Sequence, residues 1–123
     1  MAEPALVGLF IPNLFLRVPV ESAVRSARLE PCALASPAQA VGAGCRLAIL
    51  DLDACGESAP EAIAMLARAG VAVLAFGPHV RAEELAAARR AGAVALPRSS
   101  FLARLPELLA TAAAAERTNT DRR

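Results

Sequence analysis

Two aspartates one residue apart, Asp51 and Asp53, are the side chains of this chain best placed to do chemistry. Apolar Leu47, Ala48, Ile49 and Leu50 run directly into Asp51, the pattern of a strand covered on both faces of a parallel sheet. A carboxylate at the C-terminal end of such a strand emerges in the crevice where open α/β sheets bind their ligands. There it could act as a nucleophile or help to hold a hard cation. The groups that would activate it are scarce. All 13 basic residues are arginine, so no side chain can supply an ammonium point charge. The one histidine, His79, follows Gly77-Pro78 at the rim of the same crevice and has no partner cluster, so it reads as a loop residue. Cys32, Cys45 and Cys55 lack Cys-x-x-Cys spacing and are odd in number, which argues against a disulfide framework or a zinc knuckle. Cys32 reads as a small core residue and Cys55 as a thiol near the crevice with nothing to activate it.

The elements that must position these residues follow from hydrophobic patterning. Residues 5–11 form a first strand, stopped by Pro12-Asn13. Pro19 suits the first turn of a helix that places Val20, Val24 and Ala27 on one face. Cys32 to Ala35 is a short second strand, and Ser36-Pro37 opens a short helix. Residues 46–51 are the third strand, followed by a loop of Asp53, Cys55 and Gly56. Ser58-Ala59-Pro60-Glu61 reads as a capping box, before a helix that buries Ile63, Leu66 and Ala67 and ends at Gly70. Val71 to Phe76 is the fourth strand, Arg81 to Ala91 a helix capped by Gly92, and Ala93 to Leu96 the fifth strand. A last helix starts at Ser99 or Ser100, carries Phe101, Leu105, Leu108 and Leu109 on one stripe, and is interrupted by Pro106. From Thr111 the composition turns to alanine and then to a polar tail.

Strands and helices that alternate in this way build an α/β domain, a five-stranded parallel sheet with helices on both faces. At 123 residues and 56% hydrophobic content the chain makes one domain with a sizeable core. The net charge of +1 argues against a dedicated nucleic-acid binder. No apolar run is long enough to span a membrane, and no basic stretch precedes the first apolar run, so a cytoplasmic protein is expected.

The chain resembles the receiver domain of bacterial response regulators over residues 5 to about 110. The resemblance rests on the βα count, on Ala48-Ile49-Leu50-Asp51-Leu52 at strand three, on Ala91-Gly92-Ala93 before strand five and on Phe101 after it. It implies a flavodoxin-like fold of strand order 2-1-3-4-5, a receiver-like domain over 1–110 and a polar, flexible tail over 111–123. It also implies that Asp51 occupies the phosphoacceptor position. In the family an acidic pair after strand one holds Mg²⁺, a lysine after strand five offsets phosphoryl charge, and a Ser/Thr after strand four follows the phosphoryl group. Here the acidic pair falls on Pro12 and Asn13, the hydroxyl on Gly77, and the lysine on Arg98 or Ser99. The resemblance is therefore to a degenerate receiver, or pseudo-receiver. Such a module would act by protein contact without catalysis or cofactor. Mg²⁺ would enter only if the receiver chemistry survives, through Asp51 and Asp53. The alternative is an atypical receiver still phosphorylated on Asp51 in two-component signal transduction. A more distant one is suggested by Asp51-Leu52-Asp53, which is similar to the Asp-x-Asp of haloacid-dehalogenase-like phosphatases, although that motif normally sits on the first strand and is followed by Gly-Thr.

In receivers the face formed by the fourth helix, fifth strand and fifth helix meets partners or a second copy. On this chain that face would carry Arg89, Arg90, Arg98 and Arg104 at its rim and Ala87, Ala91 and Leu102 at its centre. The expected partner is another protein or a homodimer, with no nucleic acid and no membrane.

Overall fold

The computed structural model describes residues 4–78 and 81–121, with side chains as far as residue 112 in the last helix; His79 lies outside the described residues. Strands β1 (Leu6–Phe10), β2 (Glu30–Ala33), β3 (Leu47–Asp51), β4 (Ala72–Gly77) and β5 (Val94–Pro97) form one parallel sheet in the order β2-β1-β3-β4-β5. This is the flavodoxin-like arrangement expected from the sequence. β3 lies at the centre with all five residues buried, which explains its unbroken apolar run.

Alternate residues of the strands feed two cores. On one face Val7, Leu9, Leu47, Ile49, Leu74 and Phe76 meet helices α1 (Leu14–Ser26) and α6 (Arg98–Asp121), through Val20, Val24, Phe101, Leu105 and Leu109. On the other face Ala48, Leu50, Val73, Ala75 and Ala95 meet α2 (Gln39–Gly42), α4 (Ala59–Arg68) and α5 (Ala82–Ala91), through Ala40, Ile63, Leu66, Leu85 and Ala88. A short helix α3 (Leu52–Cys55) and a 3-10 turn (Gly56–Ser58) join β3 to α4. Gly8 is needed for close approach. A Cβ there would lie 2.7 Å from Leu34 Cδ1 and 3.1 Å from Cys45 Sγ, so any side chain would collide with the cover of β1.

Several boundaries differ from the sequence expectation. α1 starts at Leu14, not near Pro19, because the Asn13 side-chain oxygen accepts a hydrogen bond from Phe15 N (2.9 Å) and caps the helix. Pro19 therefore sits inside the helix, where it has no N–H to donate to the Phe15 carbonyl; both residues are exposed, so water can serve that carbonyl. β2 begins two residues early and includes Pro31. As an edge strand paired only with β1 it tolerates a residue without an N–H.

Ser58 is the N-cap residue of α4, but its side chain makes no capping bond and its hydroxyl donates to Cys55 O (3.0 Å). With φ −84° and ψ 1° its backbone is outside the extended region from which a capping side chain reaches forward. Ala67, expected in the core, is exposed. The backbone of α6 stays helical past Thr111, to Asp121. Among the described residues no helix is long and apolar enough to cross a membrane.

Candidate functional site

The parallel register fixes which residues meet at the C-terminal edge of the sheet. Phe10 pairs with Leu50, Asp51 with Phe76, and Gly77 with Pro97. Pro12-Asn13, Asp51, Gly77 and Arg98 therefore leave the sheet at one end.

Asp51 is the only described polar or charged residue that is buried, at 6% exposure. Its Oδ1 accepts a hydrogen bond from Asp53 N (3.1 Å), which makes Asp51 the N-cap of α3 and turns the expected loop into a helical turn. Burial raises its pKa above the ordinary carboxylate value. The hydrogen bond from Asp53 N and the attraction of Arg98 oppose that rise without cancelling it. The charge of Arg98 acts on Asp51, whereas Ser99 is exposed in the first turn of α6. Arg98 is partly buried, and its Nε has no hydrogen-bond partner.

Asp53 points elsewhere. Its Oδ1 accepts from the Arg81 guanidinium at 2.8 Å, and Arg81 also lies 3.6 Å from Glu84. The Arg81–Asp53 pair is about half exposed and contributes about 0–1 kcal/mol to stability. Its chemical effect is larger, because it occupies one oxygen of the second aspartate. Arg81 is the site residue that sequence reasoning missed. It lies 28 positions from Asp53, and no local pattern pairs them.

Asn13 is committed to capping α1, and Pro12 offers no side-chain ligand. Gly77 is buried at the end of β4. A Cβ there would make ordinary contacts with Leu52 Cβ (3.5 Å) and Cδ1 (3.6 Å), so the missing hydroxyl is not enforced by lack of space. Cys55 is half-buried beside the site. Burial, and then the nearby Asp51 carboxylate, push its pKa up to about 11, so it is a neutral thiol at neutral pH. Cys45 is buried with a raised pKa, and Cys32 is partly buried. Among the described residues no three His, Cys, Asp or Glu side chains cluster to hold a metal.

A stability consequence follows from Asp51. Its folded-state pKa lies above the unfolded value, so the folded chain binds that proton more tightly. The corresponding stabilisation is complete below the ordinary aspartate pKa and is lost as pH rises through the folded value. Asp51→Asn keeps an oxygen for Asp53 N and removes that loss. The variant should melt at a higher temperature than wild type at pH 7, and the gap should close as pH falls below the ordinary aspartate range. Thermal melts across pH measure it; a lower melting point for Asp51→Asn at pH 7 would contradict the assignment.

On the expected docking face, Arg89 Nε donates to Ala95 O (2.9 Å) and ties α5 to β5. Arg104 pairs loosely with Glu107 (3.7 Å), and Arg90 is exposed. Ala87 lines a cavity of about 210 Å³ with Leu52, Ala59 and Pro60, and Ala91 packs against the core under α4 and α5. Leu102 instead shares a small depression with Leu16, Phe76 and Arg98. Ala87 and Leu102 thus line separate depressions.

The solved structures that resemble this one decide the fold. A protein from Burkholderia pseudomallei described as pilus assembly-related superposes with a TM-score of 0.73 at 18% identity, over 93% of this chain and 92% of its own. A response regulator from Thermotoga maritima gives 0.69 at 14% identity, over 88% and 98%. The receiver domain of the Saccharomyces cerevisiae response regulator Ssk1, solved with the histidine phosphotransfer protein Ypd1, gives 0.60 at 16%, over 79% and 80%. The fold is that of receiver domains. No family model matches the sequence, and no curated protein is detectably similar to it.

Proposed function

We propose that this receiver-fold chain is a pseudo-receiver, a signalling module that acts through protein contact and does not depend on phosphorylation of Asp51. The observation that carries this reading is the isolation of Asp51. The carboxylate is at the end of β3, but it caps its own helix and its pKa is raised. Its companions are Pro12, an Asn13 that caps α1, a Gly77 without a hydroxyl, and an Asp53 bound to Arg81. A hard-cation site needs several oxygen ligands with negative charge, and this end of the sheet offers few. No cofactor is required.

One observation favours the second reading, an atypical receiver phosphorylated on Asp51. Arg98 already places positive charge on that carboxylate and could offset phosphoryl charge. It would do so as a planar fork, not as a lysine point charge. The Asp-x-Asp phosphatase reading is weaker, since the motif sits on the central strand and its second aspartate is engaged by Arg81.

The expected contact face of α5, β5 and α6 offers exposed Val94 and Arg90 to a protein partner. Beryllofluoride, a phosphoryl mimic, separates the two leading readings. With Mg²⁺ present it should leave the amide shifts from Arg89 to Phe101 unchanged, because Gly77 has no group to capture the mimic. Widespread shifts along that segment would show a working switch.

A further inference from the structure

A second crevice opens beside the end of β3, on the α2–α4 side of the sheet. In the order β2-β1-β3-β4-β5 the winding reverses between β1 and β3, and open α/β sheets take ligands outside the strand ends at such a point. A cavity of about 380 Å³ lies there. Its walls come from three connections. Phe10 ends β1, Ser36 follows β2, and Cys55 and Ser58 lie between β3 and α4, which adds Glu61 and Met65. Asp51 itself is not in the lining.

The lining has a definite chemistry. Phe10, Cys55 and Met65 pack against the core but are only partly buried, so each keeps surface for an occupant. A ring and two sulfurs suit an aromatic body, because sulfur–aromatic and ring–ring contacts are both favourable. The polar groups can accept. Ser58 Oγ donates to Cys55 O, which leaves its lone pairs for a donor. Glu61 is the only charged residue in the lining, and it makes no ion pair among the described residues. The Asp51 carboxylate adds negative potential from one side, since it acts on Cys55.

We propose that this cavity binds an aromatic amine, its ring against Phe10 and Met65 and its ammonium on Glu61. A cavity of roughly 150 Å³ holds benzene, so a two-ring body fits here. An acid or a zwitterion would set a carboxylate beside Glu61 with no arginine in the lining to offset it, which rejects both. Such a ligand would give the domain an input other than phosphoryl transfer. The site does not use the Asp51 carboxylate as a ligand, so it stands or falls separately from the pseudo-receiver reading.

Titration of the isotope-labelled full chain with tryptamine, followed by amide chemical shifts, tests the proposal. Saturable shifts are expected at Phe10, Ser36, Ala38, Cys55, Ser58 and Ala62. A dissociation constant of about millimolar fits a ligand of this size. Indoleacetate, with the same ring and the opposite charge, should leave those amides unmoved. Glu61→Gln should weaken tryptamine binding about fivefold, the scale of one exposed charge pair. Glu61→Arg should reverse the preference, so that indoleacetate binds and tryptamine does not. Ala62→Phe should abolish binding by filling the cavity, with thermal melts reporting whether the fold is kept; the Glu61 variants carry the test if it is not. Tryptamine that leaves these amides unmoved at tens of millimolar overturns the proposal. So does indoleacetate binding to the wild type as well as tryptamine does, or tryptamine binding that Glu61→Gln leaves unchanged.

Discussion

Phe101→Ala is expected to cost about 3–5 kcal/mol of folding stability. Phe101 is completely buried, and its ring meets that of Phe76 at a centroid distance of 5.1 Å and an interplanar angle of 38°. The pair joins α6 to the end of β4, on the face that also holds Leu105 and Leu109. Truncation removes the transfer free energy of the ring and leaves a cavity that fixed neighbours on β3, β4 and α1 cannot close. Tilted aromatic pairs also contribute about 0.5–1.5 kcal/mol beyond the area they bury. Urea unfolding followed by circular dichroism measures the loss; a change below about 1 kcal/mol would mean that α6 is not held through this residue.

The second large effect is a gain. Converting Pro12 and Asn13 together to aspartate should raise Mg²⁺ affinity from high-millimolar, or none, to the submillimolar range. Two carboxylates would then join Asp51 at one end of the sheet, and affinity for a hard cation rises with ligand charge. Asn13→Asp keeps an oxygen able to cap α1, so the helix start survives. Without metal the variant should be less stable than wild type at neutral pH. Asp51 already has a raised pKa, and like charges beside it make ionisation costlier still. Calorimetric titration with Mg²⁺ checks the gain, and Asp51→Asn in the same background should remove it. Submillimolar binding by the wild type would contradict the account of the site.

The sheet was legible in the sequence because buried parallel strands advertise themselves as apolar runs, and β3, β4 and β5 were read within a residue or two. The errors came where a residue has two structural uses. Pro19 serves equally at a first turn or on a wet helix face, and Asn13 serves equally in a turn or as an N-cap; only the Oδ1 bond to Phe15 N decides between them. The stretch after Asp51 looked like a loop because four residues carry no periodicity. The Asp51 side chain, by bonding Asp53 N, makes it a helical turn.

The site was legible as an end of the sheet but not as a network. Arg81 reaches Asp53 through the fold, and Arg89 reaches Ala95 across the turn at Gly92. Helical periodicity gives the face of one helix but not its rotation relative to the next. That is why Ala87, Ala91 and Leu102 were grouped although Ala87 and Leu102 line separate depressions.

Incubation with acetyl phosphate and Mg²⁺, followed by intact-mass measurement, tests most directly whether Asp51 has left phosphoryl chemistry behind. A pseudo-receiver with this crevice shows no phosphoryl-sized mass gain. A near-stoichiometric gain, abolished by Asp51→Asn, would contradict the account and make Arg98 the charge that replaced the family's lysine.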